Sequence, residues 1–308
     1  MDSQARRIVS LLPSATEIVC ALGLERELVG RSHECDYPPG VESRPILTAP
    51  RFEPIGSSFQ IDRRVREVVS EALSVYHVDA DLLRRLAPNY IVTQSQCEVC
   101  AVSEDEVERA IGNWSGIRPR IISLQAADLP GVWTDIERVG AALGVAERSF
   151  DVSRALKDRV RAIGENAAGA NYRPGVICIE WIEPLMAAGN WVPEMVKIAG
   201  GRDLLGVVGQ HSPRISFDDL CRANPDIIMV APCGFAIEQT LSEMHTLTGD
   251  ARWREIAAVA NGRLFVADGN QYFNRPGPRI AESIEILAEM IHPSIFRFGH
   301  EGAGWQRV

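Results

Sequence analysis

The stretch Ala146-Glu-Arg-Ser-Phe-Asp-Val-Ser-Arg-Ala-Leu-Lys-Asp-Arg-Val-Arg-Ala-Ile-Gly-Glu-Asn-Ala-Ala168 decides how the chain is built. Val152, Leu156, Val160, Ile163 and Ala167 recur at helical spacing and make one narrow apolar stripe. Arg148, Arg154, Lys157, Asp158, Arg161 and Glu165 take up the rest of the circumference, which can therefore face water. No proline interrupts the run, so it spans roughly 30 Å at about 1.5 Å per residue. Strand and helix signals alternate before it and alternate again after it. The pattern predicts an α/β protein of two Rossmann-like lobes joined by a single long α-helix. The lobes cover residues 1–144 and 170–308, and the linking helix covers 145–169.

Toward the N-terminus, residues 8–12 are a short, continuously apolar run, as expected of a strand covered on both faces. Ser14 followed by Glu17 predicts a capping box opening a helix over 15–22. A strand over 28–32 then completes a β-α-β unit, the building block of a parallel sheet. Further helices are expected over 62–73 and 79–86, with strands over 89–93 and 120–124. Ser103 and Glu106 predict a second capping box. Toward the C-terminus, strands are expected over 175–179, 226–230 and 263–267, with helices over 192–199, 217–223 and 279–290.

Composition narrows the function. The chain has 308 residues and a net charge of −9, which argues against nucleic acid and anionic membrane surfaces, since both call for clustered Lys and Arg. No apolar run is long enough to span a bilayer. The N-terminal residues show no secretory leader, and seven cysteines, an odd number, suit a reducing compartment. The expectation is a cytoplasmic protein.

Chemistry-bearing residues gather at predicted strand ends, which face the ligand crevice in open α/β sheets. His33-x-Cys35 and Cys97-x-x-Cys100 have the spacing of two half-sites for a soft metal such as Zn²⁺. A redox dithiol at Cys97-x-x-Cys100, which opens a helix, is the second reading, and both motifs also occur as unliganded thiols. Cys233 lies in a Pro-Cys-Gly turn at another strand end, from which it could reach the cleft as a further metal or redox group. Cys20, Cys178 and Cys221 sit in apolar elements and read as core residues. Tyr37, Trp181, Trp191, Phe235, Tyr272 and Phe273 fall at or just past strand ends, an arrangement that suits a large planar ligand. Arg275 and Arg279 are placed either to hold an acidic ligand group or to pair with Glu282. The remaining histidines receive no role. No phosphate loop, dinucleotide fingerprint, zinc-protease helix or serine-hydrolase elbow is present.

Ser10-Leu-Leu-Pro-Ser-Ala-Thr-Glu17, Gly30 with Asp36-Tyr-Pro-Pro39, Gly200-Gly201, Asn224-Pro-Asp226 and Tyr272-Phe-Asn-Arg-Pro-Gly-Pro-Arg279 resemble the vitamin B12-binding proteins of ABC importers. The wider family includes siderophore- and haem-binding proteins. The resemblance implies the class III solute-binding-protein fold, with ligand held in a cleft between lobes and no catalysis. It carries Asp36-Tyr37, Trp181 and Tyr272-Phe273 over as ligand contacts, and departs from the family at Thr93-Gln94, where an aromatic is usual. His-Glu-Cys-Asp-Tyr-Pro, Cys-x-x-Cys and Pro-Cys-Gly-Phe together resemble a leaderless cobalamin-binding branch, for which docking on an ABC permease is not expected. The reading is a binding protein for a corrinoid or a related small metal-bearing ligand. The alternatives are a thiolate–metal or Fe–S enzyme using His33, Cys35, Cys97 and Cys100, and a carrier of metal ion, siderophore or haem.

Overall fold

The computed structural model describes residues 6–71, 74–95, 101–112 and 118–308. It divides into two compact units. The first holds Met1–Ile55, Arg63–Ala126 and Pro130–Arg154; the second holds Gly56–Asp62, Ala127–Leu129 and Ala155–Val308.

The first unit is built on β1 (Ile8–Ser10), α1 (Pro13–Ala21), β2 (Leu28–Arg31), β3 (Thr48–Pro50), most of α2 (Ser58–Ser70), β4 (Tyr76–Val78), α3 (Ala80–Leu86), β5 (Tyr90–Gln94), α4 (Glu104–Ile111), β6 (Arg120–Leu124) and α5 (Leu129–Ala142). Its parallel sheet has the order β2-β1-β5-β6, and β3 pairs antiparallel with β4 beside it. Val9, Leu11, Leu83, Ile91, Val107 and Ile111 are buried in its core.

The second unit continues from α6 (Ala146–Ala168) through β7 (Gly175–Trp181), β8 (Met186–Ala187), α7 (Val192–Ile198), β9 (Arg202–Asp203), α8 (Phe217–Ala223), β10 (Ile227–Val230), α9 (Ile237–Thr248), α10 (Ala257–Ala260), β11 (Leu264–Ala267), α11 (Ile280–Ile291) and β12 (Trp305–Arg307). The sheet order is β12-β11-β10-β7-β8, with β9 also on β7. β7, β10 and β11 are parallel to one another. Ile177, Ile179, Ile228, Val230, Val266 and Trp253 form its core. No helix among the described residues is long and apolar enough to cross a membrane.

The long helix has the bounds read from the sequence, and its stripe residues Val160, Ile163 and Ala167 are buried. The division between the two units falls inside it, between Arg154 and Ala155. Its first turns pack on α5: Ser153 Oγ donates to Glu137 Oε1 at 2.7 Å, and a Cβ on Gly140 would lie 2.1 Å from that of Ser149. Arg148 donates to the carbonyl of Leu22.

Helix starts differ from expectation in three places. Helix α1 opens on Pro13, with extended Leu12 before it and no side-chain cap; proline's fixed φ and missing N–H suit the first helical position, and Ser14 is buried instead. Ser103 does cap α4, but the Glu106 carboxylate turns to the Ser74 hydroxyl and to Arg51 and Arg109. Helix α2 starts at Ser58 because its N–H donates to both oxygens of buried Glu243, at 2.8 and 3.0 Å, satisfying a group that a helix start leaves open. The sequence reading also passed over β3, β4, β8, β9, β12, α9 and the capping box of Ser216 and Asp219 on α8.

Candidate functional site

In the first unit the strand order reverses between β1 and β5, and the parallel strands all end at one edge. Ligands of open α/β sheets bind outside such an edge, at the switch point. The chain leaving β2 carries His33, Cys35 and Tyr37. His33 Nδ1 lies 2.7 Å from Thr48 Oγ1, and its ring is 5.6 Å from that of Tyr76, whose hydroxyl donates to Glu34 at 3.3 Å. Burial, then the nearby charge of Arg31, pushes the His33 pKa down, so the imidazole is neutral at pH 7. Buried Cys35 accepts from the Thr16 hydroxyl at 3.0 Å. Arg31 fastens the loop: its guanidinium donates to the carbonyls of Ser32 at 2.9 Å and Glu42 at 2.9 Å, while its backbone pairs with Pro45 and Leu47. Tyr37 is exposed on that loop.

Among the described residues no three His, Cys, Asp or Glu side chains come together so as to hold an ion; the expected set of His33, Cys35, Cys97 and Cys100 lies only in part among them. His33 and Cys35 are tied to the protein's own hydroxyls, and Cys233 belongs to the second unit. Cys97 and Cys100 lie outside the described residues. Of the three cysteines read as core residues, Cys178 is buried while Cys20 and Cys221 are half-buried; burial pushes Cys20 up to about 12 and Cys178 well above its ordinary value.

In the second unit the order reverses between β7 and β10. Trp181 ends β7, half-buried, with its ring 5.3 Å from Phe235 and its Nε1 donating to the Glu183 carbonyl at 3.1 Å. Cys233 follows β10, exposed, its N–H on the Glu180 carbonyl at 3.2 Å. Gly269, past β11, comes so close that a Cβ would stand 2.1 Å from the Pro232 carbonyl oxygen, so the two strand exits require glycine there. Asn274 locks them from above, donating to the Gly269 carbonyl at 2.8 Å.

The remaining expected ligand contacts divide by burial. Tyr272 is half-buried, with the Arg279 guanidinium 5.6 Å over its ring. Trp191, Phe235 and Phe273, also expected as ligand contacts, are buried, as large aromatic faces gain most from packing. Trp191 Nε1 donates to the Phe273 carbonyl at 2.6 Å. Phe273 takes a φ of 66°, a left-handed conformation that costs an aromatic residue. Its N–H donates to Ser283 Oγ at 3.1 Å, so that bond and the one from Trp191 hold the backbone there. Arg275, also buried, donates to Asn270 Oδ1 at 3.1 Å, and Arg279 to Gln271 Oε1 at 2.6 Å.

The sequence reading gave no part to His300, which lies against Tyr272, nor to Arg31. A signal for the first was available: Glu285 and Glu289 stand one turn apart among the apolar residues of α11, and carboxylates buried there need partners.

Two α/β units, each with a parallel sheet that exposes loops at a strand-order reversal, define a solute-binding protein of the class III type. The chain belongs to the periplasmic binding protein family, whose sequence pattern matches residues 8–270. An uncharacterised ABC transporter substrate-binding lipoprotein of Bacillus subtilis is 24% identical over 306 residues, covering 96% of this chain and 83% of its own. A cobalamin-binding protein of Halobacterium salinarum is 24% identical over 296 residues, covering 95% and 71%. Among solved structures, the periplasmic haem-binding protein RhuT of Roseiflexus superposes with a TM-score of 0.70 at 20% identity, covering 95% of this chain and all of that one. The vitamin B12-binding protein BtuF of Vibrio cholerae gives 0.65 at 19%, covering 94% and 98%.

Proposed function

We propose that this solute-binding protein takes a corrinoid, and that Trp181 is its principal aromatic contact. The observation that carries the reading is the placement of Trp181: half-buried at the switch point of its sheet and backed by Phe235. A flat apolar face fixed in that position suits a macrocycle, and relatives matched over nearly the whole chain are named for cobalamin. Tyr272 is a second proposed contact, and Tyr37 the one proposed for the first unit. The seven cysteines of the chain, an odd number, suit a reducing, cytoplasmic setting.

Titration of the full chain with cyanocobalamin, cobinamide and haemin, followed by absorbance, tests the reading. Shifted corrin bands saturating at one equivalent are expected. Trp181→Ala should weaken binding about tenfold or more, the scale of an aromatic hot spot. Cys97→Ser with Cys100→Ser should leave the affinity unchanged. Haemin bound in place of either corrinoid, or no spectral change with any of the three, sinks the proposal.

A further inference from the structure

The C-terminal loop of the second unit hangs on two buried carboxylates of α11. Arg159 of α6 grips Glu285 through Nε and Nη2, at 2.5 and 2.6 Å. His300 Nε2 lies 2.9 Å from Glu285 Oε2. Glu289 accepts from the N–H groups of Phe298, Gly299 and His300, and from Trp305 Nε1 at 2.8 Å. The His300 ring meets Tyr272 at 67°, with centroids 6.3 Å apart. Gly304, whose N–H donates to the His300 carbonyl at 2.8 Å, adds its backbone to the same wall: a Cβ there would be 3.2 Å from Tyr272. Tyr272 therefore rests on a surface that His300 and its loop supply.

We propose that His300 is a positioning residue for Tyr272, and that the Arg159–Glu285–His300 chain makes the placement of this aromatic depend on pH. The hydrogen bond to Glu285 raises the His300 pKa above its ordinary 6.5, against the opposing effect of burial, and the charges of Glu285, Glu289 and Glu282 add to it. Burial works against ionised Glu285, but the hydrogen bonds from His300 and Arg159 outweigh it and hold its pKa low. Around the imidazole stand Glu282, Glu285 and Glu289 from α11, Arg159 from α6 by way of Glu285, and Tyr272 with Arg279 over its ring; Arg297 and Glu301 flank it in its own loop. Of these, His300 is the group whose ordinary pKa lies nearest neutrality. With its folded value raised, the tie is fully present below the ordinary histidine value and is lost as pH rises through the folded one.

The functional meaning rests on reading Tyr272 as a ligand contact; the test does not. The full chain is made with tyrosine carrying ¹³C at its ε positions, and Tyr272→Phe assigns the resonance. Between about pH 5.5 and 8.5 the Tyr272 signal should follow one titration with its midpoint above 6.5. His300→Gln should flatten it. Glu285→Gln should move the midpoint down, a second readout if the first variant folds poorly. Cyanocobalamin affinity should weaken about three- to tenfold across the same titration, the scale of a lost charge-assisted hydrogen bond passed on in part. A Tyr272 signal that ignores pH, or that titrates unchanged in His300→Gln, overturns the proposal. A Tyr272 signal that titrates while cyanocobalamin binds at no pH upholds it and sinks the corrinoid reading alone.

Discussion

Arg31 and Trp191 show what single residues contribute. Arg31 is a buried cation whose hydrogen bonds go to carbonyl oxygens, so removing it strands those oxygens as well as freeing the loop that bears Tyr37. Arg31→Met should cost about 2–4 kcal/mol, read as a lower urea midpoint, and Arg31→Lys should recover only part because lysine has no planar fork. An unchanged midpoint would show that the loop holds without its clamp. Two tryptophans that look alike in sequence should separate. Trp191→Ala opens a buried cavity and drops a 2.6 Å hydrogen bond, and should cost about 3–5 kcal/mol of stability. Trp181→Ala should cost far less stability and act on ligand affinity instead. The sequence made it legible that these rings sit at strand ends. Which of them face inward was not legible, because residue type reports the preference for burial and not the side of the strand exit from which it is met.

At the level of elements, α5 and α6 meet closely enough that Gly140 has no room for a side chain. Alanine normally stabilises a helix by about 1 kcal/mol over glycine. Here its Cβ would stand 2.1 Å from that of Ser149, and the overlap wins. Gly140→Ala should destabilise by about 2 kcal/mol, and adding Ser149→Gly should return most of the loss. Additivity of the two changes in denaturant midpoints would show that the helices do not meet there. The bounds of α6 were plain in its periodicity, since a long solvent-facing helix is specified by its own stripe. Starts of α1, α2 and α4 were less so: Pro13 opens α1 without a side-chain cap, Glu243 receives the Ser58 N–H at α2, and Glu106 of α4 is drawn to Ser74 rather than closing a capping box. Strands β8, β9 and β12, of two or three residues, carry too little pattern to be read before their neighbours are known.

For the molecule as a whole, α6 is the piece both units share: Arg154 belongs to the first and Ala155 to the second. Ala155 is exposed, so a proline there meets no packed neighbour and acts on the backbone alone. Ala155→Pro should cost about 3 kcal/mol, seen as a lower melting temperature and reduced helical circular dichroism. A melt that matches the parent would mean the helix is not continuous under load. The chain by itself determined the α/β class, the two sheets built on parallel strands, the long helix and the placing of aromatics near strand ends, because hydrophobic periodicity and turn residues are local properties. Tertiary structure alone decided that Trp181 stays open while Trp191, Phe235 and Phe273 close, that Arg31 clamps a loop, and that His300 stands behind Tyr272. Those outcomes depend on which distant side chains share a burial site, as when buried Glu285 is placed by Arg159, 126 residues away in the chain.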